Sequence, residues 1–181
     1  MHKQFLSILI AVCWLIVGAP SVSPAENPVP GEYELKAAFL YNFAKFVEWP
    51  AGSFADERSP FSICVLGDNP FGSAFDPILA KTVNGRPITV RVIDDVAASG
   101  GCHLLFVSAS EQAHVDAVIG ALGTRNVLTA SDMKKFSQAG GMISFVTVEN
   151  KIRFEINVRA ASRARIKISS QLLKLARTVI E

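Results

Sequence analysis

The chain has 181 residues, of which 50% are hydrophobic, and it carries 18 Lys and Arg residues against 16 Asp and Glu residues. This near balance of charge gives no electrostatic basis for nucleic-acid binding, which requires a strongly basic surface.

The first 25 residues have the organisation of a secretory signal peptide. Lys3 precedes an apolar run over residues 5–17, and small residues end the segment at Ala25. The run is shorter than the roughly 20 residues that span a bilayer, and its Ser-x-Ala ending suits signal peptidase. We predict cleavage after Ala25, which also removes Cys13. Residues 26–181 are then a single exported, soluble domain of 156 residues (181 minus 25) with 17 basic residues (18 minus Lys3) against 16 acidic ones.

Export bears on the two cysteines that remain, Cys64 and Cys102. An oxidising compartment favours a disulfide between them, whereas a cytosolic location would favour thiols or metal binding. Cys64 lies in the apolar run of residues 61–66, which ends abruptly at a glycine-containing turn over residues 67–72. The residues alone leave three interpretations of this stretch: a ligand-binding loop, part of a metal site, or a core strand held by a disulfide.

Helices and strands alternate through most of the chain. Residues 32–48 have apolar side chains at helical spacing, which predicts one buried face made by Leu35, Ala38, Phe39, Phe43, Phe46 and Val47. A second helix, interrupted by Pro77, is expected over residues 71–81, and a third follows a cap at Ser108. Strands are predicted at residues 61–66, 88–93, 103–107 and 126–129. The alternation predicts an α/β fold with an open, largely parallel central sheet and helices on both faces.

The pattern changes near the C-terminus. Residues 141–148 and 151–156 predict two strands joined by a tight turn at Glu149-Asn150, which form an antiparallel C-terminal hairpin at the sheet edge. Asn157 suits the N-cap of a short helix that extends to Ala164. A final helix is expected to begin at Ser169 or Ser170, with a shared face of Leu172, Leu173, Ala176, Val179 and Ile180.

The turn after the first strand has the glycine spacing of a phosphate-binding loop. Gly67 and Gly72 are five positions apart, but Ser73-Ala74 follows where Lys and then Ser or Thr would bind phosphates and magnesium. The sequence therefore does not predict a nucleotide site here.

Metal and catalytic sites are also not predicted. The candidate metal ligands lack the paired spacing of a zinc site; they are Cys64, Cys102, His103 and His114. The candidate catalytic residues are Ser108, Ser110, His114 and Asp116. Neither serine lies in a Gly-x-Ser-x-Gly motif, which forms the nucleophile elbow of many hydrolases. No catalytic, cofactor-binding or metal-binding residue is predicted, and we expect a binding protein rather than an enzyme.

Basic residues are concentrated in the last third of the chain, interleaved with apolar ones. They are Lys151, Arg153, Arg159, Arg163, Arg165, Lys167, Lys174 and Arg177. One interpretation is a set of ordinary solvated faces around a core. The other is a docking surface for an acidic or amphipathic partner.

Five blocks of sequence carry a family resemblance. They are residues 33–50, 61–67, 102–108, 154–157 and 169–176. In this order, over nearly the whole exported chain, they resemble the YfiR family of bacterial periplasmic proteins.

The resemblance implies a periplasmic repressor in a three-part signalling system. A YfiR-like protein binds the periplasmic sensor domain of a YfiN-like inner-membrane diguanylate cyclase and keeps it inactive, so that cyclic di-GMP stays low and biofilm formation is regulated. A YfiB-like outer-membrane lipoprotein sequesters the repressor, and members are often homodimers. The alternative is a periplasmic small-ligand-binding sensor domain that serves another membrane signalling protein.

The resemblance also assigns roles to residues. Cys64 and Cys102 match one of two family disulfides, whereas the region of the second, near residues 138–145, contains no cysteine. The Phe-Glu-x-Asn strand of the family bears on repression. We therefore expect partner binding at Glu155 above all, and at its neighbours Arg153, Phe154 and Asn157.

Overall fold

The computed structural model describes residues 31–181. The predicted signal peptide and residues 26–30 lie outside this range. Among the described residues, none of the helices has the length and apolar character needed to cross a membrane.

Helices and strands follow one another closely along the described chain. The helices are α1 (Glu32–Lys45), α2 (Asp76–Leu79), α3 (Val115–Leu122), α4 (Val158–Arg163) and α5 (Ser170–Leu175). The strands are β1 (Val47–Glu48), β2 (Phe61–Leu66), β3 (Thr82–Val83), β4 (Arg86–Ile93), β5 (Leu104–Val107), β6 (Leu128–Ser131), β7 (Ile143–Val148), β8 (Lys151–Asn157), β9 (Lys167–Ile168) and β10 (Thr178–Ile180). Short 3-10 helices occupy Gly72–Phe75, Val96–Ser99 and Ala109–His114.

The central sheet has eight strands in the order β10-β8-β7-β6-β5-β2-β4-β3. Strands β4, β2, β5, β6 and β7 are mutually parallel, and β8 returns antiparallel to β7. A separate two-stranded antiparallel sheet joins β1 to β9. This arrangement confirms the predicted α/β class with a largely parallel sheet and a C-terminal hairpin.

Each face of the sheet packs against its own hydrophobic core. All six residues of β2 are buried, and they alternate between the faces: Ile63 and Val65 belong to the core beneath α1, whereas Cys64 and Leu66 belong to the core beneath α3. A strand buried on both faces is expected to be apolar throughout, as this one is. The predicted helices on both faces are therefore confirmed.

Helix α1 buries only part of the predicted face, in which Phe43 and, just beyond the helix, Val47 are buried. Its buried residues are Lys36, Ala37, Leu40, Phe43 and Ala44, and Leu35 is 46% exposed. The helix also ends at Lys45, because the chain then enters β1. Apolar residues occur all round this helix, so their spacing could not select the buried face.

The C-terminus differs from the prediction of a long final helix. Ser169 caps α5 as expected, but the helix ends at Leu175, and β10 pairs in parallel with β8. The β-branched run of β10 favours a strand where a sheet edge is available. The hairpin therefore lies one strand inside the edge. Its turn is as predicted, with positive φ at both Glu149 and Asn150.

Candidate functional site

The four residues expected to bind a partner all lie on β8, but they differ in how accessible they are. Arg153 is exposed and Glu155 is half-buried, whereas Phe154 and Asn157 are buried. Arg153 and Glu155 are two positions apart and therefore share one face of the strand. The structure thus separates the set into an accessible pair and a buried pair.

Phe154 is part of an aromatic cluster that holds α1 against the hairpin. Its ring centroid lies 4.9 Å from that of Phe43 and 5.6 Å from that of Phe39, both on α1. Across the hairpin, its register partner on β7 is Phe145, which also stacks on Phe43. Phe154 therefore supports β8 from inside the core. It acts on partner binding by holding β8 in place and not by direct contact with a partner.

Asn157 fixes the junction between β8 and α4. Its Oδ1 accepts a hydrogen bond from the Ala160 backbone N–H at 2.9 Å, as an N-cap does. Its Nδ2 donates to the Ser137 carbonyl at 2.8 Å, and its own backbone N–H donates to the Met142 carbonyl at 2.8 Å. All these bonds are internal, so Asn157 positions the strand and the helix relative to each other.

Glu155 forms an ion pair with Arg177, a residue that sequence reasoning did not connect to it. Arg177 Nη1 lies 3.2 Å from Glu155 Oε1, and the two side chains are 50% and 20% exposed respectively. The contact exists because β10 lies beside β8, with Arg177 immediately before it. We call Arg153, Glu155 and Arg177 the β8 surface.

The region around the β8 surface is basic and partly apolar. Residues 151–181 contain eight Lys and Arg residues, but only Glu155 and Glu181 are acidic. Leu175 is 67% exposed and Val179 is also exposed. Exposed apolar side chains in a region with an excess of cations are a composition that suits an acidic or amphipathic protein partner.

The turn after β2 is filled by the chain itself. Gly67 has φ +82°, and a Cβ there would lie 2.3 Å from Ser110 Oγ. The same hydroxyl oxygen accepts a hydrogen bond from the Asp68 backbone N–H at 3.0 Å. Gly67 is needed for this close packing, and the Asp68 N–H, a donor that a phosphate would need, is already bonded to Ser110.

Cys64 and Cys102 form the predicted disulfide, with their Cα atoms 5.9 Å apart. Both residues are buried. The Arg91 guanidinium covers the bond, with Nη2 at 3.3 Å from Cys102 Sγ and 2.9 Å from the Gly100 carbonyl oxygen. The bond joins β2 to the residues just before β5 and so has a scaffold role.

His103 is enclosed by aromatic rings. Phe54 stacks on it at 4.2 Å between centroids, and Phe61 stacks at 5.2 Å. Its Nδ1 accepts from the Ser62 backbone N–H at 3.0 Å, which leaves Nε2 to donate to the Ser53 carbonyl at 2.9 Å. Burial lowers the pKa of His103 below its usual value. The neutral ring is therefore a packing element.

The remaining candidates for chemistry are not brought together. In the part of the chain that the structure describes, no three His, Cys, Asp or Glu side chains form a group that could hold a metal. Ser108 Oγ accepts a bond from the Ser110 backbone, and exposed His114 lies 3.7 Å from Glu111. Over residues 31–181, no hydrogen bond links His114 to either serine.

Sequence reasoning missed a buried ionic cluster at the start of α1. The Lys36 side chain is 4% exposed, and its Nζ pairs with both Glu32 and Asp132. Tyr33 donates its hydroxyl to Asp132 at 3.0 Å, and burial, followed by the nearby Asp132 carboxylate, raises the pKa of Tyr33. The cluster fastens α1 to the end of β6. Its one sequence signal is that Lys36 lies on the same helical face as Leu40.

Solved structures similar to this chain show the fold alone, because their sequence identity is low. A conserved domain protein from Vibrio cholerae matches with a TM-score of 0.51 and 13% identity, covering 81% of this chain and 60% of that one. An ABC domain in complex with L-Trp from Streptococcus pneumoniae matches with a TM-score of 0.51 and 12% identity, covering 66% of this chain and 55% of that one. This chain therefore spans between half and two thirds of the length of both.

The family comparison covers most of the described chain. A family model described as YfiR/HmsC-like matches residues 33–177, which include every strand of the central sheet up to β8 as well as the β8 surface. The match supports a regulatory, non-catalytic role in general terms. The chain belongs to the YfiR/HmsC-like family.

Proposed function

We propose that this protein is a periplasmic regulator that binds the periplasmic sensor domain of an inner-membrane diguanylate cyclase and represses it. Family membership over residues 33–177 is the observation that carries the proposal. The leader predicted from residues 1–25 is consistent with export to the compartment where such a sensor domain lies. The consequence of repression is a low level of cyclic di-GMP in the cytoplasm.

The mechanism requires no chemistry from this chain. A repressor that binds the inactive conformation of the sensor domain more tightly than the active one shifts the population toward the inactive state. A shift from mostly active to mostly inactive needs a difference in affinity of roughly 10⁴-fold, or about 5.5 kcal/mol. Such a difference is within the range of a well-packed protein interface.

The β8 surface is the proposed contact with the cyclase. Arg153 is exposed, and the pair of Glu155 and Arg177 is partly exposed at its edge. Charged groups at an interface favour the correct partner and exclude others with like charges in the same places. The buried residues beneath this surface, Phe154 and Asn157, contribute by holding β8 in position.

Two further partners belong to the proposal. A YfiB-like outer-membrane lipoprotein relieves repression by sequestering the regulator, which lowers the concentration available to the cyclase. A second copy of the chain forms a homodimer, as members of the family often do. Sedimentation of the purified protein tests the homodimer independently of the cyclase.

Deletion of the gene tests the proposed function directly. In a host that also carries a membrane diguanylate cyclase gene beside it, deletion should raise cyclic di-GMP, and the wild-type gene should restore the low level. Glu155→Gln should restore it poorly. The matched control is Glu48→Gln, which removes a carboxylate from the exposed ion pair with Lys167 on the two-stranded sheet. Unchanged cyclic di-GMP after deletion would overturn the proposal.

A further inference from the structure

A pocket of about 280 Å³ lies between the C-terminal end of α3 and helix α4. Its walls are largely apolar, and two arginines stand at its rim. The lining residues are Ile119, Leu122, Gly123, Thr124, Arg125, Val127, Thr129, Gly140, Met142, Ala160 and Arg163. No carboxylate is among them, so the charge around the pocket is positive.

The two arginines differ in how they are held. Arg125 Nη1 donates to Ser99 Oγ at 3.0 Å, and Ser99 is buried, which fixes this guanidinium at the rim. Arg163 is exposed, and its guanidinium makes no ion pair or hydrogen bond within residues 31–181. A free guanidinium beside a fixed one provides donors for a carboxylate, to which arginine binds with two parallel hydrogen bonds.

Gly140 keeps the rim open next to Arg163. Its φ of +102° is unfavourable for other residues, and a Cβ there would lie 3.1 Å from Ile119 Cγ2 and 3.8 Å from Arg163 Nη2. The absence of a side chain leaves the guanidinium facing the apolar wall formed by Ile119. A ligand that contacts both must therefore combine a negative charge with an apolar part.

Thr129 supplies a polar group at the pocket wall. Its Oγ1 accepts a hydrogen bond from the Met142 backbone N–H at 3.0 Å. The hydroxyl proton has no acceptor in the described part of the chain, although Thr129 is buried. A buried hydroxyl donor without an acceptor is unfavourable unless a ligand or water accepts from it.

We propose that this pocket binds a small carboxylate that carries a short apolar chain. The carboxylate lies at Arg163 and Arg125, and the apolar chain packs against Ile119, Leu122 and Met142. Sites for drug-sized ligands measure roughly 300 to 1,000 Å³, so a pocket at the low end of that scale takes a smaller molecule. Burial of the apolar chain and the charged hydrogen bonds both favour binding.

The pocket is connected to the β8 surface through Asn157. Two of its lining residues bond to this side chain or its backbone: Met142 through its carbonyl oxygen and Ala160 through its N–H. A ligand that displaces either residue therefore acts on the junction of β8 and α4. This link to regulation rests on the proposed function, whereas ligand binding itself does not.

Hexanoate is a suitable probe, added at millimolar concentration to the purified, signal-free protein. The amide resonances of Gly123, Thr124 and Gly140 should shift in two-dimensional NMR, and hexan-1-ol, which lacks the charge, should shift them far less. Arg163→Gln should weaken hexanoate binding by about tenfold, the loss of one charged hydrogen bond. The matched control is Arg165→Gln, an exposed arginine two residues further on that does not line this pocket.

Three results would overturn the proposal: no shift at the pocket amides, equal binding of hexan-1-ol, or equal weakening by Arg165→Gln. Circular dichroism of each variant checks that it is folded. Because the assay contains no cyclase, its failure leaves the proposed repression intact, and failure of the deletion experiment leaves this binding result intact.

Discussion

Replacement of Phe154 by alanine should destabilise the fold, because this residue is packed inside the molecule. Phe154 is 3% exposed and contacts the rings of Phe39 and Phe43. Substitutions of buried phenylalanine by alanine cost about 3 to 5 kcal/mol, because both transfer energy and packing around a cavity are lost. In a domain of this size, each kcal/mol lowers the melting temperature by about 2 to 4 °C, so the decrease should be at least about 6 °C.

Urea unfolding followed by circular dichroism measures this loss of free energy. The control is Arg153→Ala, one position earlier on the same strand but exposed, which should change the free energy of unfolding by less than about 0.5 kcal/mol. A loss below about 1 kcal/mol for Phe154→Ala would refute the reasoning, since it would mean that the ring is not packed between α1 and β8.

Two further predictions concern the scaffold. Replacement of both Cys64 and Cys102 by alanine should lower the free energy of unfolding by about 4 kcal/mol at most, the loop-closure entropy for 38 residues, measured by urea unfolding; an unchanged midpoint would contradict a structural bond. Burial holds the pKa of His103 below its usual 6.5, so the unfolded chain binds a proton more readily than the folded one. The contribution of His103 to stability should therefore be complete above pH 6.5 and be lost as the pH falls from 6.5 toward the lower pKa of the folded state, and His103→Gln, but not His114→Gln, should weaken this dependence.

Local patterns predicted several parts of the fold well. The apolar run of β2 indicated a strand buried on both faces, and Glu149-Asn150 indicated the hairpin turn. Asn157 was correctly predicted as an N-cap, because that role depends on residues only three positions apart. In each case the chemistry that decides the structure lies within a few residues.

Features that depend on distant residues could not be predicted in the same way. Strand β10 has three residues and forms because β8 offers a free edge, so helical spacing in residues 172–180 was misleading. The pair of Glu155 and Arg177 follows from that strand pairing. The ion pair of Lys36 with Asp132 joins residues 96 positions apart.

The sequence predicted the strand that carries the candidate site, but it did not predict which side chains of that strand are accessible. Family resemblance pointed to four consecutive or nearly consecutive residues, yet alternation along β8 buries Phe154 and leaves Arg153 and Glu155 accessible, whereas Asn157 is buried where it caps α4. The pocket beneath α4 had no sequence signal, because its walls come from α3, the segment before β7 and α4. Only the fold brings Arg125 and Arg163 to the same rim.

The central claim is that the β8 surface binds the periplasmic sensor domain of a membrane diguanylate cyclase. Isothermal titration calorimetry of the purified protein with the purified periplasmic sensor domain of a membrane diguanylate cyclase from the same host measures this most directly. We predict saturable binding that Glu155→Gln weakens by about tenfold or more, because Arg177 is left without its partner at the interface, and that Glu48→Gln leaves unchanged. Absence of binding, or equal weakening by the two variants, would contradict the account.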